Sequence, residues 1–308
     1  MDASELAYGF LFVFQIVFGV SGNMFLLLVY THMVSTTHQL NPPDMIIAHL
    51  ALANTMALLS RGIPDILSAW GLKNFLDDVG CKILLYIYRV SRGLAICTTC
   101  LLSVFQAITI SPGTSQWEGV KTQLPKCILP SCLFFWVLNL LFDMTVPLFI
   151  TGLGNSTNMN TVILKYCSSI SISAVTTLVN AMVLSLRDMF FVGLMSTASG
   201  YMAFVLHRHH WKVRHLHGTN CSRKAMPEVR AAKRIIALVT LYVLLYGRNT
   251  ITLSILLNMK IISPLILNSH NIMSFTFSAI SPFLMIPRNR RVRTSWKRDS
   301  HIPNWDPP

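Results

Sequence analysis

The chain has 308 residues, of which 53% are hydrophobic and only 12% are charged, and its mean hydropathy is +0.53. A soluble domain of this size carries about twice that charged fraction, so the composition argues against a soluble globular fold and favours a membrane protein. The formal net charge of +13 could indicate a nucleic-acid partner, but the positions of the charges along the chain argue against one.

Seven apolar stretches follow one another along the chain, each near the length that crosses a bilayer. The first, residues 6–30, contains no Lys, Arg, Asp or Glu. A helix of that length, rising about 1.5 Å per residue, spans a hydrocarbon core of roughly 30 Å. Backbone groups in lipid must hydrogen-bond within their own segment, so each stretch predicts a helix. The predicted spans are 6–30, 43–67, 82–108, 127–150, 186–207, 231–256 and 266–286.

This spacing predicts a single all-α membrane domain over residues 1–308, a seven-transmembrane helix bundle that ends in a basic tail at 287–308. Pro147, near the end of the fourth span, should kink or end that helix. The uncharged segment 168–186 could be an eighth span. Its first half is rich in Ser and Thr, and an extra crossing would move the basic loops outside. We therefore predict a long fifth helix that extends beyond the membrane.

Lysine and arginine are distributed unevenly between alternate connections. Sixteen lie in the connection after the third span, in the 207–234 loop and in the tail, whereas three lie in the opposite loops. Positive residues collect on the cytoplasmic side, so we expect an extracellular N-terminus and a cytosolic C-terminus. The basic side should attract anionic lipid and could also dock a cytosolic protein partner. Its members include Arg208, Lys212, Arg214, Lys233, Arg288, Arg290 and Arg291.

Two cysteines and one glycosylation sequon fall on the predicted outer side. Cys81 begins the third span, and Cys167 precedes the fifth. An oxidising compartment permits a disulfide between them, with two free thiols as the alternative. Asn155 begins an Asn-Ser-Thr sequon in the same outer loop and is therefore a candidate glycosylation site.

Several charges lie inside predicted spans, where they are costly unless they face a partner or a water-filled cavity. Arg89 and Arg92 share one helix face, and Arg92 lies near the bilayer midplane. We predict an outward-facing pocket whose cations orient a polar group on a mostly apolar ligand. The structural alternative pairs Arg92 with Asp143 or with backbone carbonyls, and Arg187 with Asp188. The pocket candidates are Arg89, Arg92, Arg187, Asp188 and Arg248.

The other polar groups in the spans indicate no catalysis. Interhelical hydrogen bonds account for Asn23, His49, Asn54 and Asp143. The histidines within 207–217 are loosely spaced and lack neighbouring carboxylates or cysteines, so we predict no metal site. The chain also lacks the common hydrolase, metalloprotease and phosphate-loop motifs. We therefore expect neither an enzyme nor a cofactor.

Several runs resemble the vomeronasal type-1 receptors. The third span contains RVSRG at 89–93 and LLSVFQAITISP at 101–112, the second contains LSRGIP at 59–64, and the seventh ends in SPFLMI at 281–286. The resemblance covers nearly the whole chain. It implies a G-protein-coupled receptor for pheromones or small odorous molecules, in the plasma membrane of sensory neurons, acting through an inhibitory-type heterotrimeric G protein. It also implies the Cys81–Cys167 disulfide and a glycan on Asn155.

Two alternatives remain open at this stage. A bitter-taste-like chemoreceptor would share the seven helices and short N-terminus, but not the run in the third span. A small-solute transporter or channel would explain charges within the spans. Transporters commonly show paired repeats or helices broken at matched positions, and this sequence has neither.

Overall fold

The computed structural model describes residues 3–37, 41–72, 75–112, 115–152, 161–163, 166–170, 174–216, 227–258 and 264–285. This part of the chain is almost entirely helical. Its helices are α1 (Ala3–Thr37), α2 (Pro42–Ala69), α3 (Asp78–Ile110), α4 (Ser115–Phe142), α5 (Val146–Phe149), α6 (Ala174–Leu216), α7 (Pro227–Asn258) and α8 (Pro264–Met285).

Five segments of the described chain are long and apolar enough to cross a membrane. They are Ala7–Thr36, Pro42–Ala69, Asp78–Ile110, Glu118–Leu148 and Leu178–Arg208, and a shorter apolar helix covers Ile272–Met285. Each of the seven predicted spans overlaps one of the long helices. Large apolar side chains such as Phe14, Leu133 and Phe190 are more than half exposed, as expected where lipid surrounds a helix bundle.

The fourth span, predicted over 127–150, overlaps a longer apolar segment, Glu118–Leu148, that is interrupted near its end. The helix α4 starts at Ser115 and ends at Phe142, and a separate short helix, α5, starts at Val146. Hydropathy misses the first turns of α4 because Glu118, Lys121 and Lys126 interrupt their few apolar residues. Pro147 lies in the first turn of α5, where its missing N–H costs no hydrogen bond.

The ambiguous segment 168–186 does not form a helix of its own. It starts in a short strand and continues into α6, a single helix of 43 residues from Ala174 to Leu216. The prediction of one long fifth helix is therefore confirmed.

A small sheet lies beside the start of α3 and corrects the all-α prediction locally. Its strands are β1 (Ile150–Gly152), β2 (Thr161–Ile163) and β3 (Cys167–Ile170). They are antiparallel, in the order β1-β3-β2. The predicted disulfide is present and joins Cys167 in β3 to Cys81 in α3, with both cysteines fully buried.

The helix α3 lies at the centre of the bundle and packs against α2, α4, α6 and α7. Its first turn is capped by the Asp77 carboxylate, which accepts a hydrogen bond of 2.8 Å from the Gly80 N–H. Leu94 and Leu102 of α3 pack in one apolar core with Met195 of α6 and Leu238 of α7. The polar groups described next interrupt this core.

Candidate functional site

An ion pair between α6 and the turn after α4 is the most deeply buried charged feature among the described residues. The Arg187 guanidinium donates from Nη1 to Asp143 Oδ2 at 3.1 Å and from Nη2 to Asp188 Oδ1 at 3.0 Å. The Arg187 side chain is 8% exposed and that of Asp143 is 0% exposed. Burial of such charges is tolerated because each has a partner of opposite sign.

Close helix packing supports this ion pair. Arg187 Nη1 also donates to Asn139 Oδ1 of α4 at 3.3 Å, and its guanidinium carbon lies 5.8 Å from the centre of the Phe142 ring. Gly93 of α3 lies against the same amide, where a Cβ atom would overlap Asn139 Oδ1 and lie 3.3 Å from Arg187 Nη1. The glycine therefore lets α3 approach α4 closely.

Asp188 connects the buried pair to a second arginine. Its Oδ2 atom lies 3.5 Å from Arg92 Nη2 of α3, and the Arg92 side chain is 43% exposed. We call Arg92, Asp143, Arg187 and Asp188 the ion-pair cluster. It joins α3, α6 and the end of α4, and Arg92 is its accessible member.

Arg92 lines a cavity of about 60 Å³ between α2, α3, α7 and α8. Aromatic side chains form much of the wall. Tyr242 contacts Phe277 edge-to-face, with ring centres 4.9 Å apart, and stacks on Tyr246 at 5.9 Å. Such a wall suits an apolar ligand, and Arg92 can donate hydrogen bonds to an acceptor on it. The lining includes Tyr88, Arg92, Tyr242, Tyr246, Phe275 and Phe277.

The structure separates the five predicted pocket residues. Arg92 lines the cavity, and Arg187 and Asp188 lie behind it in the ion-pair cluster. Arg89 is exposed and is not one of the lining residues. Arg248 is also exposed, and its Nη2 donates to Ser269 Oγ of α8 at 3.3 Å.

The alternative in which the charged residues pair with one another, and not with a ligand, was half correct. Arg187 does pair with Asp188, but Asp143 pairs with Arg187 and not with Arg92. Arg92 pairs with Asp188 instead. Depth along a helix follows from the sequence, whereas the direction in which each side chain points depends on how the helices pack.

The aromatic residues of the cavity were not predicted from the sequence. Tyr242 and Tyr246 are four residues apart and therefore lie on one face of α7, as do Tyr88 and Arg92 on α3. The sequence signal for the cavity was therefore the spacing of tyrosines on one helix face, near a charged residue within a span. Arg61 and Asp65 of α2 form a further ion pair that was not predicted, with Arg61 Nε 3.6 Å from Asp65 Oδ2.

A second buried polar group, uncharged, joins α1, α2 and α8. Asn54 Nδ2 donates to Ser281 Oγ at 2.9 Å, and Asn23 Nδ2 donates to the Ser278 carbonyl at 2.9 Å. Asn54 Nδ2 also lies 3.5 Å from Asn23 Oδ1. We call these four residues the amide cluster. The predicted interhelical hydrogen bonds of Asn23 and Asn54 are thus confirmed, and His49 likewise accepts one from Trp136 at 3.4 Å.

Part of the predicted basic surface can be located. Arg208 in α6 and Lys233 in α7 are exposed. Asn155, Arg288, Arg290, Arg291 and the side chains of Lys212 and Arg214 lie outside the described residues. Within the described part of the chain, no three His, Cys, Asp or Glu side chains are grouped to hold a metal ion.

These features define a helical membrane protein with an aromatic, arginine-bearing cavity at its core. The model of the vomeronasal organ pheromone receptor family matches residues 6–298. The chain therefore belongs to the vomeronasal type-1 receptor family. Its members carry receptor names, so the family assigns a receptor and not an enzyme.

Individual relatives match along most of their length. The chain is 39% identical to vomeronasal type-1 receptor 3 of Homo sapiens, over 95% of this chain and 94% of that protein. It is 34% identical to olfactory receptor class A-like protein 1 of Danio rerio, over 95% of this chain and 92% of that protein. A third similar protein is vomeronasal type-1 receptor 4 of Homo sapiens, at 36% identity over 92% of this chain and 96% of that protein.

Proposed function

We propose that the chain is a G-protein-coupled chemosensory receptor of the plasma membrane. It binds pheromones or other small odorous molecules in the cavity beside Arg92 and activates an inhibitory-type heterotrimeric G protein. Family membership supports the receptor class. The binding site is supported by one observation: a partly exposed arginine lies in the aromatic wall of a cavity inside the helix bundle.

The proposal includes one membrane domain with seven crossings, an extracellular N-terminus and a cytosolic tail. Five helical segments of sufficient length and apolarity support a multi-pass chain. The positions of the basic residues support the orientation. In this orientation the Cys81–Cys167 disulfide and Asn155 face an oxidising space, where the sequon can carry a glycan. The exposed Arg208 and Lys233 face the cytosol, beside anionic lipid and the G protein.

The ion-pair cluster suggests how a ligand acts. Arg92 is held to Asp188 at 3.5 Å, a longer contact than the 3.0 Å between Asp188 and Arg187. A ligand acceptor that bonds Arg92 competes with Asp188 and weakens the connection between α3 and α6. A ligand shifts the receptor between states only if it binds one of them more tightly. The favoured state opens the cytosolic ends of α6 and α7 to the G protein.

The cavity also limits the ligand. Its volume of about 60 Å³ is below the roughly 300–1,000 Å³ of pockets that hold drug-sized molecules. A small volatile molecule therefore fits best, and binding requires Arg92 or the tyrosine rings to move outward.

Nucleotide exchange on an inhibitory-type G protein tests the proposal. The purified full-length receptor is screened with a panel of volatile compounds, and we expect a subset to accelerate exchange. For these compounds Arg92→Ala should raise the half-maximal concentration about tenfold or more, since a hydrogen bond to a charged group contributes about 1.5–3 kcal/mol.

Arg89→Ala is the matched control, because Arg89 lies one turn away on α3 but does not line the cavity. Its half-maximal concentration should stay within twofold of the wild-type value, which corresponds to a free-energy difference of about 0.4 kcal/mol or less. Equal losses in both variants would contradict the binding site. Compound-dependent solute flux in cells without G proteins, with no effect on exchange, would contradict the receptor mechanism and favour a transporter.

A further inference from the structure

A second set of charged and aromatic residues lies behind the cavity wall, on the side of the small sheet. Arg61 and Asp65 of α2 form an ion pair with side-chain exposures of 18% and 6%. Tyr88 of α3 and Tyr166, which precedes β3, interact with this pair. We call Arg61, Asp65, Tyr88 and Tyr166 the outer cluster. It connects the sheet to the helices without lining the cavity, except through Tyr88.

Arg61 contacts two rings of the cavity wall from behind. Its guanidinium carbon lies 4.8 Å from the centre of the Tyr88 ring and 5.9 Å from that of Phe275. A planar cation over an aromatic face is attracted to it, which restricts the position of the ring. The Tyr88 and Phe275 ring centres are themselves 6.4 Å apart. The position of Arg61 therefore determines the spacing of these two rings.

Tyr166 lies beside the ion pair of Arg61 and Asp65 and interacts with both residues. Tyr166 is 3% exposed, and its ring packs against Phe75 with centres 6.2 Å apart. Its neighbour Cys167 is tied to α3 by the disulfide, so the backbone at Tyr166 is fixed. Burial and the interaction with the Asp65 carboxylate raise the pKa of the Tyr166 phenol, so its hydroxyl faces this carboxylate in the protonated form.

We propose that Tyr166, Asp65 and Arg61 are positioning residues that hold Tyr88 and Phe275 in place and so determine which ligand shapes the cavity admits. The inference rests on the proposed function for its consequence, ligand selectivity. The geometric part, control of access to the cavity, can be measured without any ligand or G protein.

Thiol labelling measures that access. Ser274 lines the cavity, and Ser274→Cys places a reporter there in the purified full-length receptor in detergent. The reaction with a small methanethiosulfonate reagent is compared with that of the same chain without the reporter, which accounts for the native cysteines. Tyr166→Phe removes the hydroxyl but keeps the ring, and we expect it to raise the reporter's labelling rate by about two- to tenfold, the range for one lost hydrogen bond.

Arg61→Lys gives a second, independent variant if Tyr166→Phe reduces the yield of folded receptor. Lysine keeps the charge but lacks the planar guanidinium, so a similar increase is expected. Tyr86→Phe is the control, because the Tyr86 hydroxyl donates instead to the Leu140 carbonyl of α4 at 3.0 Å. Its labelling rate should equal that of the reporter chain. Unchanged rates in Tyr166→Phe and Arg61→Lys would overturn the inference.

The same variants are then tested in the exchange assay with compounds that activate the wild type. If the outer cluster determines ligand selectivity, these variants should change the order of potencies among the compounds. A uniform loss for all of them would reduce the cluster to a structural role and overturn the inference. If no compound activates the wild type, the proposed function fails, whereas the labelling rates still decide whether the outer cluster controls the cavity.

Discussion

The ion-pair cluster and the amide cluster both place polar groups inside an apolar helix bundle, but they do so differently. The amide cluster is uncharged and its four residues are buried. Its hydrogen bonds join α1, α2 and α8, and of its members only Ser278, which accepts through its backbone carbonyl, also lines the cavity. The ion-pair cluster contains two charges of each sign and reaches the cavity through Arg92, which is 43% exposed. The comparison indicates that burial alone favours a fixed packing contact, whereas a network with one accessible member can respond to a ligand.

Among the variants that test this comparison, the removal of Arg187 should have the largest effect on stability. Arg187→Ala leaves Asp143 buried without its partner, and breaking a buried pair in this way costs about 3–5 kcal/mol. We expect a large loss of surface expression and a lower melting temperature of the purified receptor. Arg208→Ala, at an exposed position of the same helix, is the control and should change neither quantity. A melting temperature in Arg187→Ala equal to that of the control would show that the pair is not stabilising.

Gly93→Ala disturbs the ion-pair cluster without removing a charge. The new methyl group overlaps the Asn139 side chain and displaces it from Arg187, and overpacking of this kind costs about 1–3 kcal/mol. We expect a moderate fall in melting temperature. Gly193→Ala provides the comparison, since a Cβ at Gly193 has no described atom within 4 Å. Equal melting temperatures for the two variants would contradict close packing at Gly93.

Asn54→Ala tests the amide cluster and should have the smallest effect. Interhelical hydrogen bonds between such side chains contribute about 0.6–2 kcal/mol in membrane proteins, so the melting temperature should fall slightly. The concentration dependence of activation should not change in the receptor that reaches the surface. Thr55→Ala is the control, because the Thr55 hydroxyl donates to Ala51 within its own helix. A changed ligand response in Asn54→Ala would remove the distinction between the clusters.

The sequence predicted the position of each long helix because hydropathy and the lack of charge identify residues that lipid can surround. It also predicted the Cys81–Cys167 disulfide and the hydrogen-bonding roles of Asn23 and Asn54. The start of α4 was not predicted, because a helix can continue through charged and polar residues such as those after Ser115. The three short strands carry too few residues for an alternating pattern to identify them.

The candidate site was less predictable than the fold. Arg92 was identified from its depth in the third span, since a charge at that depth needs a partner or a cavity. Its partner was misassigned because Asp143 and Asp188 are both at reachable depths, and the choice depends on helix rotation. The place of Tyr166 beside Arg61 and Asp65 was missed for the same reason, since Tyr166 is distant in sequence and meets them only through tertiary packing. The pair of Arg61 and Asp65 itself has the i, i+4 spacing that a sequence shows.

The length of α6 has a mechanical consequence. It contains 43 residues in one unbroken helix, and the stretch from Arg187 to Leu216 is about 43 Å long at 1.5 Å per residue. If the helix pivots near Arg187, a tilt of about 5° moves its far end by about 4 Å. A sub-ångström rearrangement beside Asp188 is thereby amplified into a displacement large enough to alter a protein contact surface at Leu216.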